Sequence, residues 1–80
     1  MDLKGFIANF ANQLDDTDSS KITATTVFHD LDEWSSLTAI SVIAFVMTEY
    51  GKEITGKEIK NCVTVEDLFN LVSSKHSDEK

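Results

Sequence analysis

The residue of this sequence that is best placed for chemistry is Ser36, which follows the acidic run Asp32-Glu33-Trp34-Ser35 and precedes a long apolar segment. The change in composition predicts that a helix begins at this serine. The first amides of a helix lack partners within the helix, and together with the helix dipole they stabilise a phosphate. The position therefore suits a hydroxyl that bears a phosphate-linked group, although a serine here can also act as an ordinary helix cap.

Other catalytic and metal-binding arrangements receive little support. Ser36, His29 and either Asp30 or Asp32 supply the residue types of a hydrolytic triad. Proximity in sequence does not define triad geometry, however, and a small domain has little room for an enclosed pocket. His29 is instead expected to be a loop residue beside Phe28. The single cysteine, Cys62, and the histidines are too scattered for a zinc site, and the acidic residues do not follow a calcium-loop pattern. We expect no metal, and we expect Cys62 to be a small, half-buried filler.

Length and charge limit the classes of protein. The 80 residues, 41% of them apolar, predict one domain over residues 1–74 and a disordered polar tail over residues 75–80. The net charge of −7 disfavours binding to nucleic acids and to anionic membranes, because both would be repelled. The sequence shows no signal peptide, no segment long enough to span a membrane and no pair of cysteines. We therefore expect a cytoplasmic monomer.

The first two predicted helices carry most of the apolar residues. Residues 2–15, with Asp2 as N-cap, show the i, i+3, i+4, i+7 spacing of a helix that buries one face. Residues 36–50 form the second helix, with Ser35 as N-cap and Gly51 just past its end. This helix has more apolar residues than one face holds, which indicates a central helix or a surface offered to a partner. Its broad apolar face contains Ala39, Ile40, Ile43, Val46, Met47 and Tyr50, and its opposite side contains Thr38, Ser41, Phe45, Thr48 and Glu49.

Two shorter helices and a long connection complete the predicted fold. Helices over residues 56–61 and 65–74 each begin with a threonine at capping-box spacing. The connection, residues 16–35, is long for a compact domain, so its apolar residues are expected to hold it against the helices. These residues are Ile22, Val27, Phe28, Leu31 and Trp34. A strand over residues 21–28 is the alternative for this β-branched stretch, but no second strand is evident to pair with it.

These features resemble those of an acyl carrier protein. The resemblance covers residues 3–74 and rests on three parts of the sequence. They are Phe28 to Leu37 (FHDLDEWSSL), the later positions Ile40, Ile43, Val46, Tyr50, Gly51 and Ile54, and Val63 to Leu68 (VTVEDL). It implies an all-α, four-helix bundle of the acyl-carrier type, with a long loop between helices 1 and 2 and a short helix 3.

The resemblance also implies a function for Ser36. A phosphopantetheinyl transferase would attach 4′-phosphopantetheine from coenzyme A to Ser36. The thiol of this arm would hold an acyl group as a thioester and deliver it between loading, synthase or acyltransferase enzymes of fatty-acid, polyketide or other specialised biosynthesis. The protein itself would be no enzyme.

Two features depart from the usual pattern of this family. Aspartate usually precedes the modified serine, whereas here Ser35 can cap the helix but brings no negative charge. The partner-facing helix of the family is usually acidic, whereas the matching positions here are mostly neutral. They are Leu37, Thr38, Ser41, Ala44 and Thr48. We therefore expect partners to recognise shape and apolar contact more than charge.

Two alternatives within this interpretation stay open. One is a carrier-like helical module that is never modified and only binds proteins, which the replacement of aspartate by Ser35 favours. The other is a carrier of peptidyl or D-alanyl groups. The sequence contains no motif that identifies the cargo.

Overall fold

Four α-helices follow one another along the part of the chain that the structure, a computed structural model, describes, residues 2–15 and 17–75. The helices are α1 (Leu3–Ala11), α2 (Ser36–Tyr50), α3 (Gly56–Asn61) and α4 (Val65–Ser74), and two 3₁₀ turns, Ser19–Lys21 and Phe28–Asp30, lie between α1 and α2. These residues contain no β-strand, so the predicted all-α class is confirmed. None of the described helices is long and apolar enough to cross a membrane.

One core of buried side chains joins the four helices and the connection between α1 and α2. Its members are Phe6, Phe10, Ala11, Leu14, Ile22, Phe28, Val42, Phe45, Val46, Ile54, Ile59, Cys62, Val65, Leu68 and Val72. Full burial of a large apolar side chain stabilises the fold by about 1.5–3 kcal/mol. Phe6 shows how the helices meet, because the rings of Phe45 and Tyr50 from α2 and Phe69 from α4 lie 5.6–5.9 Å from its own ring.

The buried face of α2 differs from the face that the sequence predicted. Its buried residues are Thr38, Val42, Phe45 and Val46. Thr38 and Phe45 were assigned to the opposite side, yet they are only 8% and 7% exposed. Ile40 and Met47 were assigned to the broad apolar face, yet they are 60% and 44% exposed. Because α2 is apolar nearly all round, hydrophobicity alone does not mark the side that meets the core.

Helix α1 is shorter than predicted, since it ends at Ala11 and not at residue 15. The amides of Gln13 and Leu14 donate to the carbonyls of Phe10 and Ala11, and such i to i−3 bonds tighten the chain into a turn. Leu14 is nevertheless buried, which explains why the apolar pattern continues past the helix. Asp2 occupies the N-cap position as predicted, but its side chain makes no capping hydrogen bond.

The other predicted helix ends are confirmed. Gly51 follows α2 with a φ of 66°, the left-handed conformation in which glycine has no Cβ to clash. Thr55 and Thr64 each form a capping box, with Glu58 and Asp67 as the acidic partners. The backbone hydrogen bonds to Asp67 hold the pKa of its carboxyl below its usual range. Short helices such as α3 depend on these caps, because isolated helices of this length are not stable in water.

The connection between α1 and α2 packs against the helices mainly as predicted. Ile22 and Phe28 are buried, and Leu31 and Trp34 are partly buried against the core. Val27 is 37% exposed, so it is not one of the core anchors. Val27 instead pairs with Thr64 through one isolated antiparallel bridge.

The same connection also satisfies the first amides of α4. The amide of Val65 donates to the carbonyl of Thr26 over 3.1 Å, and the amide of Glu66 donates to the carbonyl of Ala24 over 2.9 Å. Both amides lie in the first turn of α4 and have no partner within the helix. The loop therefore contributes acceptors that the helix needs, without forming a strand.

Glu33 fastens the beginning of the connection to its end. Its carboxylate accepts hydrogen bonds from the amide of Asp15 and from both the amide and the hydroxyl of Thr17, the latter two over 3.0 and 2.9 Å. A charged acceptor makes such bonds stronger than neutral ones. The acidic residue two positions before the serine pair is therefore structural.

We expect Glu33→Ala to lower the free energy of unfolding by about 1–3 kcal/mol, because the amides that it satisfies lose a charged acceptor. Asp32→Ala is the matched control, since Asp32 is exposed and the same charge is removed. That control is expected to change stability by no more than about 0.5 kcal/mol. Urea denaturation followed by circular dichroism measures both values, and equal losses would contradict this role for Glu33.

Candidate functional site

Ser36 is the first residue of α2, and its side chain is exposed. The preceding Ser35 has the extended backbone of an N-cap, with φ −154° and ψ 178°, and its hydroxyl accepts a hydrogen bond from the amide of Thr38 over 3.4 Å. The prediction that Ser35 caps the helix is confirmed. The hydroxyl of Ser36 makes no hydrogen bond within the described residues, so it is free for other chemistry.

The first amides of α2 are also open. Within the part of the chain that the structure describes, the amides of Ser36 and Leu37 donate to no acceptor, whereas the amide of Ala39 donates to the carbonyl of Ser35 over 2.9 Å. Unpaired amides and the positive end of the helix dipole favour an anion at this end of α2. A phosphate attached to Ser36 would lie at this end of the helix.

A groove opens beside Ser36, between α2 and α3, with a volume of about 810 Å³. Its lining residues are His29, Trp34, Ser35, Ser36, Ala39, Ile40, Ile43, Gly56, Lys57, Ile59 and Lys60. Most of the surface that lines the groove is apolar, and the two lysines come from α3. This volume lies in the range of small-molecule sites, and its lining suits an apolar chain.

His29 fixes the α3 wall of this groove. Its Nε2 lies 2.9 Å from the carbonyl oxygen of Cys62 and 3.2 Å from that of Ile59, at the end of α3. Because carbonyl oxygens only accept, Nε2 carries a proton and donates to them. The Ile59 carbonyl also accepts from the amide of Cys62 over 3.1 Å, whereas no backbone amide of the described residues donates to the Cys62 carbonyl. His29 therefore supplies a partner for the Cys62 carbonyl at the end of α3. Sequence reasoning placed His29 correctly beside Phe28, 4.3 Å between ring centroids, but missed this contact.

Trp34 positions the beginning of α2. Its ring stacks on that of Phe10 with centroids 6.0 Å apart and an angle of 8°, and it lies 4.8 Å from the ring of Phe28. Next to it, the hydroxyl of Thr38 donates to the carbonyl of Glu33 over 2.9 Å. The indole and this hydrogen bond together hold the turn that presents Ser35 and Ser36.

Glu58 fixes the other end of α3. Its carboxylate accepts a hydrogen bond from the amide of Thr55 over 2.9 Å and forms an ion pair with Lys75 at 2.7 Å. The hydrogen bond from Lys75, followed by that from the Thr55 backbone, holds the pKa of the Glu58 carboxyl below its usual range. The sequence predicts a disordered tail over residues 75–80, but this contact places Lys75 in the fold, and residues 76–80 lie outside the described residues.

The predicted partner-facing residues of α2 do not all reach the surface. Leu37 is 76% exposed, Ala44 and Thr48 are exposed, and Ser41 is partly exposed. Thr38 is a correction, since it is only 8% exposed and its hydroxyl is used by the Glu33 carbonyl. Ile40 and Met47 are exposed and were not included, because the sequence pattern assigned them to the face expected in the core.

The geometry of the described residues does not favour a hydrolytic serine, a reactive cysteine or a metal site. The Nε2 of His29 is committed to carbonyl groups and does not serve as a free base for Ser36. Cys62, which the sequence predicts to be half-buried, is buried, and burial raises the pKa of its thiol, with Asp67 and Glu58 adding to the effect. A raised pKa keeps the thiol protonated and unreactive. The described residues contain no group of three His, Cys, Asp or Glu side chains that could hold a metal ion.

Comparisons with known proteins leave the site to be interpreted from its geometry. No protein-family model, no curated protein and no solved structure matches the chain significantly. The free hydroxyl, the open amides and the neighbouring groove are therefore the observations on which a function can be proposed.

Stability measurements on the two serines test this division of roles. We expect Ser35→Ala to lower the free energy of unfolding by about 1 kcal/mol, because the amide of Thr38 loses its cap. We expect Ser36→Ala to change it by no more than about 0.5 kcal/mol, since the Ser36 side chain satisfies no group in the fold. Chemical denaturation of both variants gives the comparison. A larger loss of stability for Ser36→Ala than for Ser35→Ala would show that Ser36, and not Ser35, caps the helix.

A pH series tests the hold of Glu58 on α3. A carboxyl whose pKa is lowered by folding stabilises the fold above its unfolded pKa, about 4.3, and this contribution is lost as the pH falls through the folded value. We expect Glu58→Gln to cost about 0.2–1 kcal/mol at neutral pH, as exposed ion pairs do, and to cost less below about pH 4. Glu53→Gln is the control, since Glu53 is exposed and has no partner among the described residues. A loss of unfolding free energy for Glu58→Gln that does not change with pH would contradict the stabilising role of the Glu58 carboxylate.

Proposed function

We propose that this chain is an acyl carrier protein that bears 4′-phosphopantetheine on Ser36. The observation that carries the proposal is the exposed, unengaged hydroxyl of Ser36 at the first residue of α2, beside an apolar groove. An attachment site must leave its hydroxyl accessible to a transferase, and a carrier must give an apolar cargo some shelter from water. Ser36 and the groove meet these two requirements at one place.

The residues at the site fit such a prosthetic group. The phosphate would be close to the open amides of Ser36 and Leu37, which stabilise negative charge. Ala39, Ile40 and Ile43 on α2 and Ile59 on α3 offer apolar surface along the groove, onto which an acyl chain can fold back. When bound, the arm supplies a thiol on which an acyl group is held as a thioester. Apart from the Ser36 oxygen, which would bond to the phosphate of the arm, the protein's own residues would hold, orient and shield the arm and its cargo.

The replacement of aspartate by Ser35 is compatible with this role. The structural task of that position is to cap α2, and Ser35 does so through its hydroxyl. An aspartate would place a negative charge next to the new phosphate, whereas Ser35 leaves that position neutral. The residue therefore bears on recognition by the transferase and does not remove the attachment site.

The alternative proposal is a module of the same fold that binds proteins and is never modified. The observation in its favour is the exposed apolar surface of α2, formed by Leu37, Ile40 and Met47, which suits contact with a protein whether or not Ser36 is modified. The two proposals differ in one measurable property, the acceptance of phosphopantetheine. A peptidyl or D-alanyl cargo would be distinguished only after modification, by the group loaded on the thiol.

The test is an intact-mass measurement after incubation of the unmodified protein with coenzyme A, Mg²⁺ and a broad-specificity phosphopantetheinyl transferase. We expect the wild type to gain the mass of one phosphopantetheinyl group and Ser36→Ala to gain none. Ser35→Ala is the matched control, because it removes the neighbouring hydroxyl and should still be modified. Circular dichroism shows that each variant is folded before the mass is compared.

Two results would count against the proposal. No gain in the wild type, with this transferase and with those of its own source, would leave the unmodified module as the function. A gain that persists in Ser36→Ala and is lost in Ser35→Ala would move the attachment site to Ser35.

A further inference from the structure

Helix α2 presents a line of apolar side chains to solvent. Leu37, Ile40, Ala44 and Met47 recur at i, i+3, i+7 and i+10, so they lie along one side of the helix. The exposed fractions of the three larger side chains are 76% for Leu37, 60% for Ile40 and 44% for Met47. We call these four residues the exposed stripe. Single exposed apolar residues are common on protein surfaces, but a contiguous line of them marks a contact surface.

Two lysines lie on the other side of the groove from the exposed stripe. Lys57 and Lys60 belong to α3 and line the groove, and both are exposed. Neither ammonium group has an ion-pair partner among the described residues. The acidic residue between them, Glu58, is already paired with Lys75. The two positive charges are therefore available to a partner.

The part of the sequence that contains α2 and α3 carries no net charge, unlike the rest of the chain. Residues 36–61 contain three lysines and three acidic residues and are neutral in total, so the whole excess of −7 lies in residues 1–35 and 62–80. Within the neutral part, Lys52 donates to the carbonyls of Val72 and Lys75 and helps to end α4. Lys57 and Lys60 have no such structural task. An acidic surface would be repelled by most of this protein and attracted at these two lysines.

We propose that the exposed stripe, Lys57 and Lys60 form the docking surface for an acidic protein partner. The partner would place apolar side chains on the stripe and carboxylates opposite the two ammonium groups, as an amphipathic helix with acidic flanks does when it binds a groove. The inference rests on the proposed function, because that function requires partners to approach Ser36. The docking surface itself does not require that Ser36 be modified. Apolar contact supplies most of the affinity, and the two charges add to it and also supply orientation and association rate.

A protein partner is favoured over an anionic membrane by the same distribution of charge. An anionic membrane presents negative charge over its whole plane. It would attract the two lysines, but it would also repel the acidic residues of the rest of the chain. A protein presents its carboxylates locally, so it can face Lys57 and Lys60 while avoiding the acidic surfaces. Vesicles therefore serve as the control for this distinction.

The test uses the unmodified ¹⁵N-labelled protein and two synthetic amphipathic helical peptides in about 0.15 M salt, where the screening length is about 8 Å. The peptides share one leucine stripe and differ only in its flanks, glutamates in one and lysines in the other. We expect the glutamate-flanked peptide to shift the amide signals of residues 37–47 and 57–60. We expect it to bind this face about five to ten times more tightly than the lysine-flanked peptide, since two exposed charge pairs are worth about this factor.

Matched charge reversals separate a local effect from one of net charge. K57E/K60E and K4E/K21E each lower the net charge by four, and Lys4 and Lys21 are exposed residues outside the proposed surface. We expect the first pair to weaken binding of the glutamate-flanked peptide about five- to tenfold or more and the second about twofold or less. K57Q/K60Q removes the two charges without reversing them. We expect it to lower the logarithm of the peptide affinity by about half as much as K57E/K60E does. This graded effect distinguishes a loss of charge from misfolding of α3 in K57E/K60E.

Other outcomes overturn the inference. Equal affinities of the two peptides, equal losses in the two reversal pairs, or signal shifts outside α2 and α3 would show that no acidic partner is selected here. Binding to vesicles that contain anionic lipid, with no binding of either peptide, would identify a membrane as the occupant. Because this test uses the unmodified protein, failure of the modification assay and failure of this test are distinguishable.

Discussion

The packing of Phe28 is the contact on which the rest of the structure depends. Its ring is fully buried and touches Phe10 of α1, His29 and Trp34 at centroid distances of 5.6, 4.3 and 4.8 Å. Ordering the long connection between α1 and α2 costs backbone entropy, of the order of 1–2 kcal/mol for each residue fixed. Burial of Phe28 and the hydrogen bonds of Glu33 offset part of that cost. With this loop in place, His29 reaches α3, and Trp34 sets the direction in which α2 begins.

Helix α2 shows how one apolar segment serves three purposes. Val42, Phe45 and Val46 face the core, Ala39 and Ile43 face the groove, and the exposed stripe faces solvent. A helix with only one apolar face could supply the first of these and not the others. The apolar excess that the sequence shows is thus divided among stability, shelter for a cargo and contact with a partner, in the function that we propose.

The electrostatics of the proposed carrier follow from the same arrangement. Ser35 caps α2 without charge, the residues from Ser36 to Asn61 are neutral in total, and the acidic excess lies elsewhere in the chain. Charges close to a site act strongly, whereas those beyond a screening length act weakly. In the docking that we propose, Lys57, Lys60 and the exposed stripe would supply the contacts at this face.

Local rules determined much of this protein from its sequence. The helices over residues 36–50, 56–61 and 65–74, the caps at Ser35, Thr55 and Thr64, and the glycine after α2 all follow from neighbouring residues, so the sequence predicts them. The face of α2 that is buried, the early end of α1, and the contacts of His29, Glu33 and Lys75 were decided by tertiary structure. The contacts of His29, Glu33 and Lys75 join residues 16 or more positions apart that meet only after folding, such as His29 with Cys62 and Glu33 with Thr17. Sequence periodicity reports how apolar a helix is, but the side that becomes buried is set by the elements that pack against it.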